Sequence, residues 1–331
     1  MNFIEELQRK KLTVAVVIPC YQEELTIAKV IRDFKQALPD AQMVVFDNNC
    51  TDATAAVARQ AGAEVRREKR QGKGFVVASM FERVDADILV MVDGDDTYEA
   101  GAVQHLLEPV LKGDADMTVA TRLYAHEDKS FRKFHLLGNK LVCAIINWMF
   151  KSQITDIFSG YRVFTREAAS CIPITAHGFD VETELTLQAL YRGLVIKEIP
   201  TPYRARPQGS FSKLTTISDG FLVVLRLFLI LKSYKPLTFF GICSVVLSVA
   251  GLAVGTRPLY EYFTEHYIYA VPSAILAATL MLLAFLALGV GLILNSVNLR
   301  LLELEKLVCR LPGSGHDRNG GPQGSILGGK C

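Results

Sequence analysis

Two hydrophobic patterns divide this chain. Up to about residue 210, short apolar runs alternate with stretches of helical spacing. VAVVIPC (14–20) is a continuous apolar, β-branched run, the pattern of a strand buried on both faces. LTIAKVIRDFKQAL (25–38) follows at helical spacing and stops at Pro39-Asp40. MVVFD (43–47) predicts a second strand, followed by a helix over Asp52 to Ala61 with Thr51 as its cap. DILVMVDGDD (87–96) and MTVATR (117–122) predict two more strands. This β-α-β alternation predicts an α/β fold with a mostly parallel, Rossmann-like sheet covered by helices on both faces. Open sheets of this kind bind ligands at the carboxyl ends of their strands. Pro19, Tyr21, Glu23, Asp47, Asp93, Asp95 and Arg122 all stand at such ends.

After residue 235 the pattern changes. Pro236 to Thr256 carries no charge over 21 residues, a helix of about 31 Å, enough for a bilayer core of about 30 Å. A second uncharged run covers Ala270 to Leu294. Core helices of soluble proteins keep a polar face over such lengths, so 235–298 is expected to hold two transmembrane helices, 236–256 and 270–294. Residues 214–234 are apolar but broken by Asp219 and Arg226, which suits an amphipathic helix in the membrane interface. The glycine-rich tail 309–331 is expected to be disordered.

Composition adds orientation and exclusions. Arg226, Lys232 and Lys235 precede the first span, and Arg300, Lys306 and Arg310 follow the second. The positive-inside rule then places both termini in the cytoplasm and the Arg257 to Tyr269 loop outside, in a multi-pass protein of the inner membrane. The N-terminus MNFIEELQRKK has no apolar signal core. Lys plus Arg number 36 and Asp plus Glu 34, a balance that gives no sign of a nucleic-acid partner. The seven cysteines are scattered without metal-type spacing and read as reduced thiols. A homo-oligomer formed through the apolar helices is compatible with this pattern.

The chemistry concentrates in a few motifs. Asp93-Gly94-Asp95 ends an apolar strand with carboxylates that repel one another unless a cation or donors compensate. Hard oxygen ligands suit Mg²⁺ or Mn²⁺, which a site of this kind shares with substrate phosphates. Gln71-Gly72-Lys73-Gly74 lets an ammonium and backbone approach a phosphate, but lacks the spacing of a P-loop. Glu182 and Glu184 of VETEL read as the polar face of a helix. PCYQEE stands where a dinucleotide-binding oxidoreductase would need GxGxxG.

VVIPCYQEE, VVFDNNCTDAT, RQGKG, VMVDGDDTYE, VATR, TDIFSGYRVF, GFDVETEL and RPQGSFSK follow one another in this order. Together, over about residues 12–215, they resemble the family 2 glycosyltransferases of GT-A fold. The resemblance is greatest to the dolichyl-phosphate mannose synthase and polyprenyl-phosphate glucosyltransferase branch. It implies a cytosolic GT-A domain over 1–213 that transfers one sugar from a UDP- or GDP-sugar to polyprenyl (undecaprenyl or dolichyl) phosphate, with inversion. Pro19, Tyr21, Glu23 and Lys73 would line the nucleotide-sugar pocket, with Asp47 accepting from the base. Asp93 and Asp95 would hold the Mg²⁺ or Mn²⁺ ion. Arg122, Arg132, Ser159 and Arg162 would face the acceptor phosphate, with Asp156 beside the reacting centre. Arg206, Ser210 and Lys213 would form a basic flap over the diphosphate. Asn48 departs from the acid often found after the first Asp, and Thr97 from the amide that some members place near the metal.

A lipid phosphate monoester is already a nucleophile at neutral pH. The residues needed are therefore those that neutralise a leaving diphosphate and align the reactants, and Asp, Arg and Lys are of that type. A processive polysaccharide synthase would carry a QxxRW motif, absent around the single Trp148. A non-catalytic membrane scaffold would have no reason to keep the acids and the basic stretch.

Overall fold

The computed structural model describes residues 3–122, 131–174, 181–204 and 228–309. The chain divides into two compact units, Met1–Ile230 and Leu231–Cys331.

In the first unit, helix α1 (Phe3–Lys10) leads into β1 (Val14–Cys20), α2 (Ile27–Ala37), β2 (Gln42–Asp47), α3 (Thr54–Gln60) and β3 (Glu64–Arg67). Then come α4 (Lys73–Arg83), β4 (Ile88–Met91), α5 (Val103–Leu111), β5 (Met117–Thr121) and α6 (Phe131–Phe150). β6 (Arg162–Thr165), α7 (Arg166–Cys171), α8 (Val181–Arg192) and β7 (Ile196–Pro200) complete the domain. The seven strands form one sheet in the order β3-β2-β1-β4-β6-β5-β7. Only β6 runs antiparallel to its neighbours β4 and β5.

The unbroken apolar run of β1 has a simple cause. Val16 and Ile18 face a core built with Phe34 of α2 and Leu106 of α5, while Ala15 and Val17 face Val76 and Met80 of α4 and Leu185 of α8. Neither face meets water, so alternation is lost. Burying each such Val or Ile is worth about 1.5–3 kcal/mol.

Two expectations move. The strand expected over 87–96 is confined to Ile88–Met91, because the chain turns at the acids, with Asp96 at φ 58°. The helix expected from Asp52 begins at Thr54, and Thr51 does not cap it. Asp52 Oδ1 accepts Thr54 N at 3.0 Å instead, while the Thr51 hydroxyl accepts Gln22 Nε2 at 2.6 Å.

The Tyr161 hydroxyl is fully buried and has no hydrogen-bond partner among the described residues, while its ring packs edge-on against Phe34 and Tyr98. An unmet buried hydroxyl costs about 1–3 kcal/mol. Tyr161→Phe is therefore expected to leave the thermal midpoint unchanged or raise it. A fall in the midpoint would show that the hydroxyl is bonded after all.

Residues 228–234 are helical (α9), and the second unit holds α10 (Pro236–Glu265) and α11 (Val271–Cys309). Both long helices are long and apolar enough to cross a membrane, and only 6% and 17% of their most apolar windows are buried. A soluble core helix would be mostly covered. Both outrun the uncharged stretches of the sequence, since Arg257, Pro258 and Glu261 continue α10 without breaking it. The connection shrinks to 266–270, tied by Glu261 Oε2 to the amides of Tyr269 and Ala270. Gly251 and Gly255, four residues apart, let α10 approach α11: a Cβ on Gly251 would lie 3.3 Å from Ala277 O. This small-residue face is thus used inside the hairpin.

Candidate active site

The three acids after β4 meet three different environments. Asp96 turns away and pairs with Lys29 at 2.6 Å. Asp95 is buried, and its Oδ1 accepts the Thr97 hydroxyl at 2.6 Å and the Thr97 amide at 3.3 Å. Thr97 thus orients the carboxylate. Asp93 lies over the Gly160 backbone, where an added Cβ would fall 2.2 Å from its Oδ2. The glycine is required there by close approach, not by backbone conformation, since its φ is not positive.

Lys73 opens α4 after Gly72, whose φ of 134° admits few other residues. Its ammonium sits 2.5 Å from Asp93 Oδ1 and also bonds Glu182 at the start of α8. Burial disfavours the charged ammonium, but the pull of Asp93 and Glu182 outweighs it and raises the pKa. Glu182 was expected on a solvated helix face, yet all of Val181–Ala189 is buried and Glu182 belongs to the site. The sequence signal for it is weak: acids set in a helix with no polar side of its own.

Asn48 explains itself by its two-sided hydrogen bonding. Its Nδ2 donates to Glu68 O at 3.2 Å and Arg70 O at 2.7 Å, and its Oδ1 accepts Gly72 N at 2.9 Å. A carboxylate cannot donate to the two carbonyls, so the amide fits this loop, which delivers Lys73.

Across the sheet, Arg122 at the end of β5 forms a bidentate pair with Asp156: Nε to Oδ2 and Nη2 to Oδ1, both 2.8 Å. The Arg122 amide adds a third bond to Oδ2 at 3.1 Å. Burial alone would raise the Asp156 carboxyl, but Arg122 outweighs it and holds the pKa below the usual range. A depressed carboxylate stabilises the fold above its unfolded pKa of about 3.9, and the contribution is lost as pH falls through the lower folded value. Glu198 of β7, which carries no motif, holds the Asp156 loop: its carboxylate accepts Thr155 N, the Thr155 hydroxyl and Asp156 N within 3.0 Å. Arg122 also lies over the Tyr203 ring at 5.7 Å.

Arg162 and Ser159, which the resemblance placed facing the acceptor phosphate, are both buried. Arg162 is wholly buried, its guanidinium donating to Ser159 O (2.8 Å), Ile157 O (2.9 Å) and the Thr186 hydroxyl (2.8 Å). Ser159 is also fully buried, its hydroxyl 3.2 Å from that of Tyr98. Neither presents a donor to an acceptor phosphate. Arg162 instead clasps the loop that carries Asp156 and Gly160.

The ends of β1 and β2 form one laced rim. Gln22 Oε1 accepts the amides of Thr51 and Asp52, Ala53 N donates to Glu24 Oε2, and Glu23 N donates to the Thr54 hydroxyl. Pro19 and Asp47 are half-buried there, and Asp47 Oδ1 accepts Cys50 N at 2.8 Å. Tyr21 is exposed, whereas Glu23 is buried beneath the rim.

Arg206, Ser210 and Lys213 lie outside the described residues, as does the side chain of Arg132 in the first turn of α6. The described chain reaches Arg204, whose amide donates to Thr97 O at 2.8 Å, and Tyr203 bridges to Tyr98.

Two acids close together in sequence, a buried lysine and an Arg–Asp pair stand at or just beyond the strand ends. Residues 15–172 match the family model described as glycosyl transferase family 2. Over 300 residues the chain is 32% identical to glycosyltransferase AglJ of Haloferax volcanii, covering 89% of this chain and 98% of that protein. It is 28% identical to dolichyl-phosphate hexose transferase of the same organism, over 58% of this chain and 83% of that one. Polyprenol monophosphomannose synthase of Mycolicibacterium smegmatis is 24% identical, over 59% and 78%. Among solved structures, glucosyl-3-phosphoglycerate synthase from Mycobacterium tuberculosis, in complex with Mn²⁺ and UDP-glucose, superposes with a TM-score of 0.56 at 22% identity. That match covers 69% of this chain and 83% of the other, and shows the fold. The fold is GT-A. The chain belongs to glycosyl transferase family 2 and is a glycosyltransferase.

The residues present fit a divalent cation. Asp93 and Asp95 offer hard carboxylate oxygens two residues apart, and no cluster of three or more metal-ligating side chains occurs among the described residues. Two carboxylates with the balance of ligands from phosphate oxygens and water is the usual arrangement for Mg²⁺.

Proposed function

We propose that this enzyme transfers one sugar from a UDP- or GDP-sugar to a polyprenyl phosphate, with inversion at the anomeric carbon. The observation that carries the reading is the pair of long, uncovered apolar helices that follow the glycosyltransferase domain in the chain. An acceptor with a polyprenyl tail resides in a bilayer, and an enzyme anchored there meets its head group without extracting it. The names of the relatives from Haloferax and Mycolicibacterium support the same acceptor class. The charge distribution around the spans supports a cytoplasmic-membrane protein with catalytic domain and termini in the cytoplasm.

In this reading an oxygen of the lipid phosphate attacks the anomeric carbon, and the bond from that carbon to the donor diphosphate breaks. The electron pair leaves with the nucleoside diphosphate. No proton needs to be removed from the attacking oxygen, so no general base is required. A cation held by Asp93 and Asp95 supplies charge neutralisation of the leaving diphosphate. Arg122 offers its remaining N–H groups to the incoming phosphate, and Asp156 fixes the orientation of the guanidinium. Pro19, Tyr21 and Asp47 border the nucleotide, and Arg206 and Lys213 add positive charge to the diphosphate.

The test is a panel of radiolabelled UDP- and GDP-sugars offered to full-length enzyme in detergent with polyprenyl phosphate. One donor is expected to carry label into the organic phase. Label that stays aqueous with every donor contradicts the acceptor class.

A further inference from the structure

Lys73 stands where a cation on Asp93 would have to come. Its ammonium is 2.5 Å from Asp93 Oδ1, and its side chain is only 13% exposed. The other oxygen of Asp93 lies against the Gly160 backbone. The second partner of the ammonium, Glu182, comes from a different element and is more deeply buried than Asp93, at 7% against 25% side-chain exposure. Asp93 is thus on the side a ligand enters, and Glu182 is on the side that stays. The lysine is long and flexible and pivots at the first residue of α4, whereas Glu182 is held in α8 and Asp93 stands two residues past β4. Asp93 and Glu182 carry two negative charges against the single positive charge of Lys73.

We propose that Lys73 is a resident counter-ion of Asp93 that a divalent cation displaces onto the donor's diphosphate, with Glu182 the positioning residue that retains the ammonium during the exchange. The proposal rests on the reading of Asp93 and Asp95 as the cation site. It has consequences of opposite sign for one substitution. Without Lys73, a cation alone no longer competes with the ammonium and binds more tightly, while a nucleoside diphosphate loses a cationic partner and binds more weakly. A lysine that merely holds α4 against α8 would not move the two affinities in opposite directions.

The experiment uses full-length protein in detergent. Mn²⁺ binding without nucleotide is read from the paramagnetic resonance of free Mn²⁺, and UDP and GDP binding is measured with Mn²⁺ present. Lys73→Met is expected to bind Mn²⁺ about tenfold more tightly, and the diphosphate that wild type prefers about tenfold more weakly, the size of one charged hydrogen bond. Glu182→Gln, which leaves the ammonium to Asp93 alone, is expected to weaken Mn²⁺ binding. The double variant Lys73→Met/Glu182→Gln leaves no unpaired buried Glu182, and is expected to keep the tighter Mn²⁺ binding even where the single variant folds poorly. Unchanged or weaker Mn²⁺ binding in the folded Lys73 variants overturns the counter-ion. Asp95→Asn separates the two readings. If it abolishes Mn²⁺ binding while Lys73→Met equals wild type, only the counter-ion falls; if it binds Mn²⁺ like wild type, the cation site and the counter-ion fall together.

Discussion

Asp95→Asn is expected to reduce sugar transfer by about a thousandfold or more, because stabilisation of a leaving group's charge by a bound cation is worth several kcal/mol. Asparagine keeps an oxygen for the Thr97 hydroxyl and amide, which Asp95 Oδ1 accepts at 2.6 and 3.3 Å, so the turn should persist. What is removed is one negative charge in a buried position. Circular dichroism and the thermal midpoint should stay close to wild type, and excess EDTA should reproduce the loss in the unmodified enzyme. A variant that retains turnover would remove the cation from the account.

The second large effect is expected at a residue with no functional group. In Gly160→Ala the new methyl would lie 2.2 Å from Asp93 Oδ2 and 2.8 Å from Asp93 Cγ. The nearest atoms belong to the end of a movable side chain, and Gly160 has no positive φ, so the fold absorbs the change by rotating Asp93. That rotation takes Asp93 out of line with Asp95 and Lys73. Misplacement of a reacting group by about 1 Å costs on the order of a hundredfold. Turnover is therefore expected to fall by about that factor with little change in stability. Global unfolding, or full activity, would show that the contact between Gly160 and Asp93 does not position the site.

These two positions also mark what the sequence made legible. β1 was readable because its apolar run is continuous, and its burial on two faces makes the run necessary. The acids after β4 were readable because charge at the end of an apolar strand is conspicuous. Gly160 was quoted within a motif, but its contact with Asp93 depends on β6 lying antiparallel beside β4, and no local pattern encodes that pairing. β7, IKEIP, escaped notice because it is short and mixed in polarity, and with it Glu198, whose carboxylate holds the Asp156 loop. The surroundings of Arg162 were illegible for a related reason. An arginine in a motif rich in polar residues looks solvent-facing, and only the carbonyls of Ile157 and Ser159 and the Thr186 hydroxyl around it show that its donors are spent within the fold. Glu182 was set aside because an acid in a helix's first turn is ordinarily solvated; its partner Lys73 is 109 residues away in the chain.

The acceptor is settled by one measurement. Full-length enzyme in detergent, given its preferred donor, is offered polyprenyl phosphate and, separately, the matching polyprenol, and the lipids are analysed by mass spectrometry. The account predicts that polyprenyl phosphate gains the mass of a single sugar residue, with release of one nucleoside diphosphate, and that polyprenol stays unchanged. Equal glycosylation of the polyprenol, or an unmodified lipid phosphate while the donor is consumed, would contradict it.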